Sequence, residues 1–279
     1  MKSILLPTDF SKNSVNAINF AMQLFHDEHC EFHIMNIQKA SAFISDDLMT
    51  VSTSATIYQT LIDTAKRSIT NLINSIEAKY KNDKHSFQSI VDYDNFIDAI
   101  NQICESKKID LIVMGTHGAS GLERIIFGSH TVRVMQRCPT PVLAIPQGCK
   151  FKKPKAIVFL SDYMGLYEEK DVKALIDMSQ LFSAKIDVLH IVKEEQLSEV
   201  QQNNKAFIDE CFGELKHEFI DLEGDNIYKT VKDYIDMNQV EMLAMMNRKH
   251  SFIERLFNQH NIETFGFNIK IPFLVMDEP

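Results

Sequence analysis

The chain has 279 residues, of which 45% are hydrophobic and 24% charged, and a formal net charge of −9. That length suits two domains of about 140 residues each, and the balance is that of a globular protein. An acidic chain with no run of Lys and Arg lacks the basic patch a nucleic-acid surface needs, so nucleic acid is not an expected partner.

The chain opens on "MKSILLPTDFS", with one Lys and only a short apolar run before Pro7. A signal peptide needs a longer apolar region and a small-residue cleavage site, so none is expected. No later stretch approaches the roughly 18 consecutive apolar residues of a membrane span. The first half then alternates short apolar runs with helical patterns: "SILLP" (3–7), "FHIMNI" (32–37), "FQSIV" (87–91), "DLIVMG" (110–115) and "PVLAIP" (141–146) read as strands. Most are continuously apolar, as parallel strands covered on both faces are. Val15, Ile18, Met22 and Phe25 recur at helical spacing after the first strand, and either Ser11 or Asn13 can cap that helix. Residues 41–84 are expected to hold one loop, "KASAFISDDLMTVSTSAT" (39–56), and one long helix. Its apolar stripe is Ile62, Ala65, Ile69, Leu72, Ile73 and Ile76. The loop is long enough to lie over a site.

The second half repeats the plan. "KAIVFLSD" (155–162) answers the first strand and "IDVLHIV" (186–192) the second. "VEMLAMM" (240–246) answers the fourth and "IPFLVMD" (271–277) the last, with Val172, Leu175, Ile176, Ser179 and Phe182 giving the matching first helix. Strands alternating with helices imply βαβ units and parallel sheets. The fold class expected is α/β: two tandem domains, residues 1–147 and 153–279, each a parallel sheet with helices on both faces. The joint, "PQGCKFKKPK" (146–155), is short, so the two domains should be closely apposed.

Four of the nine glycines lie between Gly115 and Gly128, in "MGTHGASGLERIIFGSHT" (114–131), after a buried strand and before a helical stretch at 129–137. Open α/β sheets bind ligands there, beyond the carboxyl ends of their strands. Gly115 and Gly118 would let backbone approach a ligand closely and take positive φ where needed. Gly128 and Ser129 would open a helix whose N–H groups and positive dipole end suit phosphate, with Ser129 and Thr131 adding hydroxyls. The spacing is neither the Rossmann fingerprint nor a Walker A loop.

With the opening "ILLPTDFS", the strand "HIMNI" and the closing "CPTPVLAIP", this loop resembles the nucleotide-binding branch of the universal stress protein family across residues 1–147. The second half resembles it more weakly. The resemblance implies that each domain is Rossmann-like (adenine nucleotide alpha hydrolase-like), a five-stranded parallel sheet, and that the chain binds ATP, or ADP or AMP, with any Mg²⁺ arriving on the nucleotide. Carried over by position, Asp9 would lie by the ribose or the metal-nucleotide, with Pro7 and Thr8 lining that wall. Ile37 and Met114 would pack the adenine, and Gly115, Gly118, Gly128, Ser129 and Thr131 would hold the phosphates. Asn36 departs from the His that the family often has, which Leu189-His190 keeps in the second half. The resemblance also implies pairing of "PVLAIP" with "PFLVMD" in an intramolecular pseudo-dimer, with a homodimer and an unnamed protein partner as further possibilities.

Other candidates are weaker. His117 is a candidate phosphate contact, with a turn residue as the alternative, and His130 is not read as catalytic. Glu123 and Arg124 recur as Glu254 and Arg255, which favours a shared structural role. The ten histidines show no metal-ligand spacing, and Cys30, Cys104, Cys138, Cys149 and Cys211 show no CxxC pattern. Reduced thiols in a cytoplasmic protein are expected. In the second half Met246, Lys249 and either Asn258 or Gln259 stand where Gly115, Gly118 and Gly128 would be, so that half is expected to have lost the site while keeping Asp162 opposite Asp9. The function expected is stress-response binding of an adenine nucleotide, with slow ATP hydrolysis at most. A binding-free scaffold is the rival, and an ATP pyrophosphatase or a class I synthetase lacks its motifs here.

Overall fold

The computed structural model describes residues 1–38, 51–93, 95–116, 128–165, 168–192, 196–247 and 270–277. In the first half, β1 (Lys2–Pro7), β2 (Cys30–Ile37), β3 (His85–Asp92), β4 (Leu111–Gly115) and β5 (Val142–Ile145) alternate with α1 (Lys12–Leu24), α2 (Val51–Tyr80), α3 (Phe96–Lys107) and α4 (Ser129–Arg137). The second half follows with β6 (Ala156–Leu160), α5 (Glu169–Phe182), β7 (Lys185–Val192), α6 (Glu199–Phe212), β8 (His217–Glu223), α7 (Ile227–Asn238), β9 (Met242–Asn247) and β10 (Phe273–Asp277). The ten strands form one sheet in the order β3-β2-β1-β4-β5-β10-β9-β6-β7-β8. Each half is parallel throughout, and the halves meet in one antiparallel pair.

That seam is the expected pairing of the two closing strands: Phe273 opposes Ala144, Leu274 opposes Leu143 and Val275 opposes Val142. All six are buried, so two edges that would otherwise recruit another chain are closed against each other. Side chains alternate between two cores. Ile4, Leu6, Val113 and Leu143 face α1, α2, α5 and α6, while Leu5, Ile112, Met114 and Val142 face α3, α4 and α7. Burial on both faces is why these strands are continuously apolar.

Two expectations change. Residues 51–56 belong to α2 rather than to the preceding loop. Val, Ser and Thr are weak helix formers, which made the segment look loop-like, but tertiary packing overrides propensity. Further along the same helix Ala65, Ile69 and Ile76 are buried, as the stripe required. β8, which carries no continuous apolar run, is an outer strand of mixed polarity, "HEFIDLE", with no fully buried residue.

His33 on β2 is fully buried, sharing a hydrogen bond with Ser3 Oγ at 3.0 Å, with Glu31 3.4 Å away. Burial lowers its pKa below the ordinary 6.5, outweighing the pull of Glu31. His85 on β3 is lowered likewise by burial, outweighing its bond to the Phe25 carbonyl. A lowered histidine pKa means the folded chain favours the neutral ring. Stability is therefore complete above pH 6.5 and is lost as pH falls toward the folded values. The melting temperature should fall between pH 7.5 and 5.5, and His33→Gln with His85→Gln should flatten that slope. An unchanged slope would place the sensitivity elsewhere.

Candidate functional site

The turn after β1 is built from its own polar side chains. Thr8 N–H continues the sheet by donating to Met35 O at 2.8 Å. The buried Thr8 hydroxyl accepts from Phe10 N at 3.0 Å, and Asp9 Oδ1 accepts from Ser11 N at 3.0 Å. These bonds turn the chain sharply, leaving Phe10 at φ +60°, a conformation most residues avoid. Ser11 then caps α1, accepting from Ser14 N at 3.2 Å, as one of the two expected caps. Ser14 Oγ in turn lies 3.0 Å from the Thr8 hydroxyl. Partial burial raises the Asp9 pKa, but hydrogen bonds from Ser11 and Ser14 outweigh it and hold the carboxyl below its ordinary value. Asp9 is therefore an exposed, ionised acceptor at neutral pH.

Asn36 secures this turn from the neighbouring strand, donating through Nδ2 to Thr8 O at 2.7 Å. In the second half His190 Nδ1 lies 3.2 Å from Ser161 O, the corresponding carbonyl. Asn and His thus bring an N–H to the same acceptor, which accounts for the Asn36 departure.

Beyond β4, Thr116 N donates to Ile145 O at 3.0 Å and Gly128 N donates to Thr116 O. Thr116 and Gly128 are therefore held together at the strand end. His117, Gly118, Glu123 and Arg124 fall outside the described residues, as do Lys249, Glu254, Arg255, Asn258 and Gln259. α4 begins at Ser129 with Gly128 as its cap. Helices α1, α3, α6 and α7 each start under a side-chain oxygen, from Ser11, Asn95, Ser198 and Asn226. α4 instead starts at Gly128, which has no side chain to cap with, and has no acid in its first turn, so its positive end carries no carboxylate of its own. Ser129 is exposed at this end, whereas Thr131 is buried and donates to Gly115 O at 2.9 Å.

Gly128 opens α4 as expected, and Gly115 has a packing role besides. Neither Gly115 nor Gly128 has positive φ. A Cβ on Gly115 would lie 2.6 Å from Asn13 Nδ2, 2.9 Å from Asn13 Cγ and 3.0 Å from Asn13 O. Gly115 is thus required because α1 packs directly on the end of β4. Asn13 and Ser14, buried in the first turn of α1, are residues the sequence reading did not single out as part of this site. Their only signal was two polar residues at positions where an inward face was due.

Pro7 is buried at the end of β1, and Ile37 is half-buried at the end of β2. Met114, 5% exposed, packs into the core beneath α3 and α4, on the same sheet face as Ile37. His130 stacks on Phe96 with ring centroids 4.4 Å apart. Burial raises all five cysteine thiols, Cys30 and Cys138 to about 12, so none is an activated nucleophile.

The second half keeps the turn and fills the space above it. Tyr163 N donates to Ser161 Oγ at 3.1 Å, Met164 N donates to Asp162 Oδ1 at 3.0 Å, and Tyr163 sits at φ +55°. Tyr163, however, is fully buried and stacked on His190 at 4.9 Å. From α6, Asn204 donates to Tyr163 O at 2.8 Å and Gln201 to Asp162 O at 2.9 Å. The register places Met246 where Gly115 stands. Eight residues (161–168) precede α5, against four (8–11) before α1.

The model of the universal stress protein family matches residues 1–146, just over half of the chain. The chain belongs to the universal stress protein family. A universal stress protein of Methanocaldococcus jannaschii is 28% identical over 156 residues, covering 55% of this chain and 84% of that one. A universal stress protein A homolog of Coxiella burnetii is 23% identical, covering 52% of this chain and 95% of the other. The whole two-half architecture matches the crystal structure of a universal stress protein from Archaeoglobus fulgidus, with a TM-score of 0.71 at 15% identity, covering 99% and 98% of the two chains. Both halves therefore follow this family's Rossmann-like fold.

Close packing of Gly115 on Asn13 predicts the effect of one added methyl. Gly115→Ala should cost about 1–3 kcal/mol of stability, as overpacking does, or about 2–4 °C of melting temperature per kcal/mol. Adding Asn13→Ala should recover part of the loss, because only the Asn13 carbonyl contact remains. Thermal unfolding of the two variants measures this, and a Gly115→Ala chain as stable as the parent would contradict the packing account.

Proposed function

We propose that this universal stress protein binds one adenine nucleotide (ATP, ADP or AMP) at the carboxyl edge of β1, β2 and β4. In this reading residues 1–147 form the nucleotide-binding domain and residues 153–279 a partner domain whose own site is degenerate. The observation that carries the reading is the first turn of α4, with glycine at its cap and no acid of its own, held at the end of β4, the strand next to the one whose turn presents Asp9. Free N–H groups at a positive helix end suit phosphate, while an ionised carboxylate suits a ribose hydroxyl or a nucleotide-borne Mg²⁺ and would repel phosphate. The two features thus orient a nucleotide.

Pro7 and Thr8 form the wall beside Asp9, and Ile37 and Met114 mark the face for the adenine. Gly115, His117, Gly118, Gly128 and Ser129 belong to the phosphate side. Thr131 acts through the Gly115 carbonyl it already holds, as a positioning residue. The filled edge of the second half supports a single site per chain.

The role that follows is that of a cytoplasmic stress-response sensor or regulator, read by a protein partner, with ATP hydrolysis slow at most. No helix among the described residues is long and apolar enough to cross a membrane. Calorimetric titration with ATP tests the site. Gly118→Val with Gly128→Val, which adds bulk on the phosphate side, should weaken affinity at least tenfold while leaving the fold intact. Equal affinity in parent and variant would remove the assignment.

A further inference from the structure

The joint carries four lysines in six positions, Lys150, Lys152, Lys153 and Lys155, which the nucleotide reading leaves unused. In the fold, the joint forms one wall of a cavity of about 510 Å³. The facing wall is the end of α7 with the segment leading into β9, and residues 270–272 close it beside β10. Lys150, Lys152 and Lys270 all line this space, together with Asp236 and Glu241.

The two acids are already engaged. Asp236 is paired with Lys232, one turn back on α7. Glu241 Oε2 accepts from Lys155 N at 3.0 Å and from Ala156 N at 3.2 Å, tying the start of β6 to the start of β9. None of the three lining lysines has a carboxylate partner among the described residues. The carbonyl end of α7 contributes about half a negative charge. Three ammonium groups therefore line the space with two carboxylates, one of them already neutralised by Lys232, and that helix end, and the cavity is net positive in a chain of net charge −9.

The joint wall is fixed before any ligand arrives. Asn16 donates to Cys149 O at 3.0 Å, and Cys149 N donates to Pro146 O at 3.0 Å. Gly148 takes φ +71°, where a side chain would be strained. The Phe151 ring lies 5.4 Å from Phe20 of α1 and 6.2 Å from Phe182 of α5, pinning the joint to both halves.

We propose that this cavity is a second binding site, separate from the β4–α4 edge, and that it takes a phosphorylated small molecule. Ammonium groups are compact point charges suited to a multiply charged phosphate. A charged cleft concentrates such ions. The volume falls in the range of small-ligand sites, and Phe20 and Ile271 supply apolar surface for the remainder of the ligand.

Lysine acylation read by mass spectrometry tests this on the full chain, with inorganic pyrophosphate as the probe. Pyrophosphate should slow acylation of Lys150, Lys152 and Lys270 several-fold and leave Lys153 and Lys155, which do not line the cavity, unchanged. A Lys150→Gln, Lys152→Gln, Lys270→Gln chain should bind pyrophosphate at least tenfold more weakly with an unchanged melting temperature, because all three side chains are exposed. Equal protection of all five lysines, or of none, would overturn the proposal. So would pyrophosphate affinity that survives in this variant and disappears in the Gly118→Val, Gly128→Val chain. A failure of ATP binding alone would leave the cavity assignment standing.

Discussion

The antiparallel contact of β5 with β10 is the constraint from which the rest of the molecule follows. Three opposed residue pairs join two parallel half-sheets into one, and because the pair is antiparallel the halves run in opposite directions. Their carboxyl edges therefore lie at opposite ends of the sheet. The edge carrying Asp9 and α4 must be completed by the first half alone, since the second half brings only the amino ends of its strands to that side. The same reversal creates the joint cavity, where the amino edge of the second half meets the chain leaving β5.

Within that frame, the duplicated turn separates what a βαβ unit needs from what a ligand needs. Both halves turn after their first strand through a hydroxyl, an Asp and an aromatic residue at positive φ, and both secure that turn from the neighbouring strand. These bonds satisfy backbone groups that would otherwise be left unpaired where the sheet ends. What the second half lacks is the close approach of its first helix to the fourth strand of its sheet. With eight residues before α5 and Met246 in the glycine position, its edge is filled by Tyr163, Gln201 and Asn204.

Much of this was legible in the sequence, because burial on both faces leaves a continuous apolar run that periodicity finds. The closing-strand pairing, the limits of α4 and the inward face of α1 all follow from such runs and from the family resemblance. The outer strand β8 was not legible, since a half-exposed strand carries polar residues that resemble loop. The start of α2 was not, since its Ser and Thr residues are held helical by packing further along. Gly115 is the more instructive case. Its position was readable, but its reason was a contact with Asn13 from a distant part of the chain, and no local pattern reports such an approach. Asn36 shows the converse: a departure from the family pattern that keeps the same hydrogen bond.

Under the proposed function, one half presents a nucleotide edge and the other has closed its own. Native mass spectrometry of the full chain, titrated with ATP in slight excess, counts bound ligands directly. One ATP per chain, lost in the Gly118→Val, Gly128→Val variant, is expected. No bound nucleotide at any concentration, or two that survive those substitutions, would contradict it.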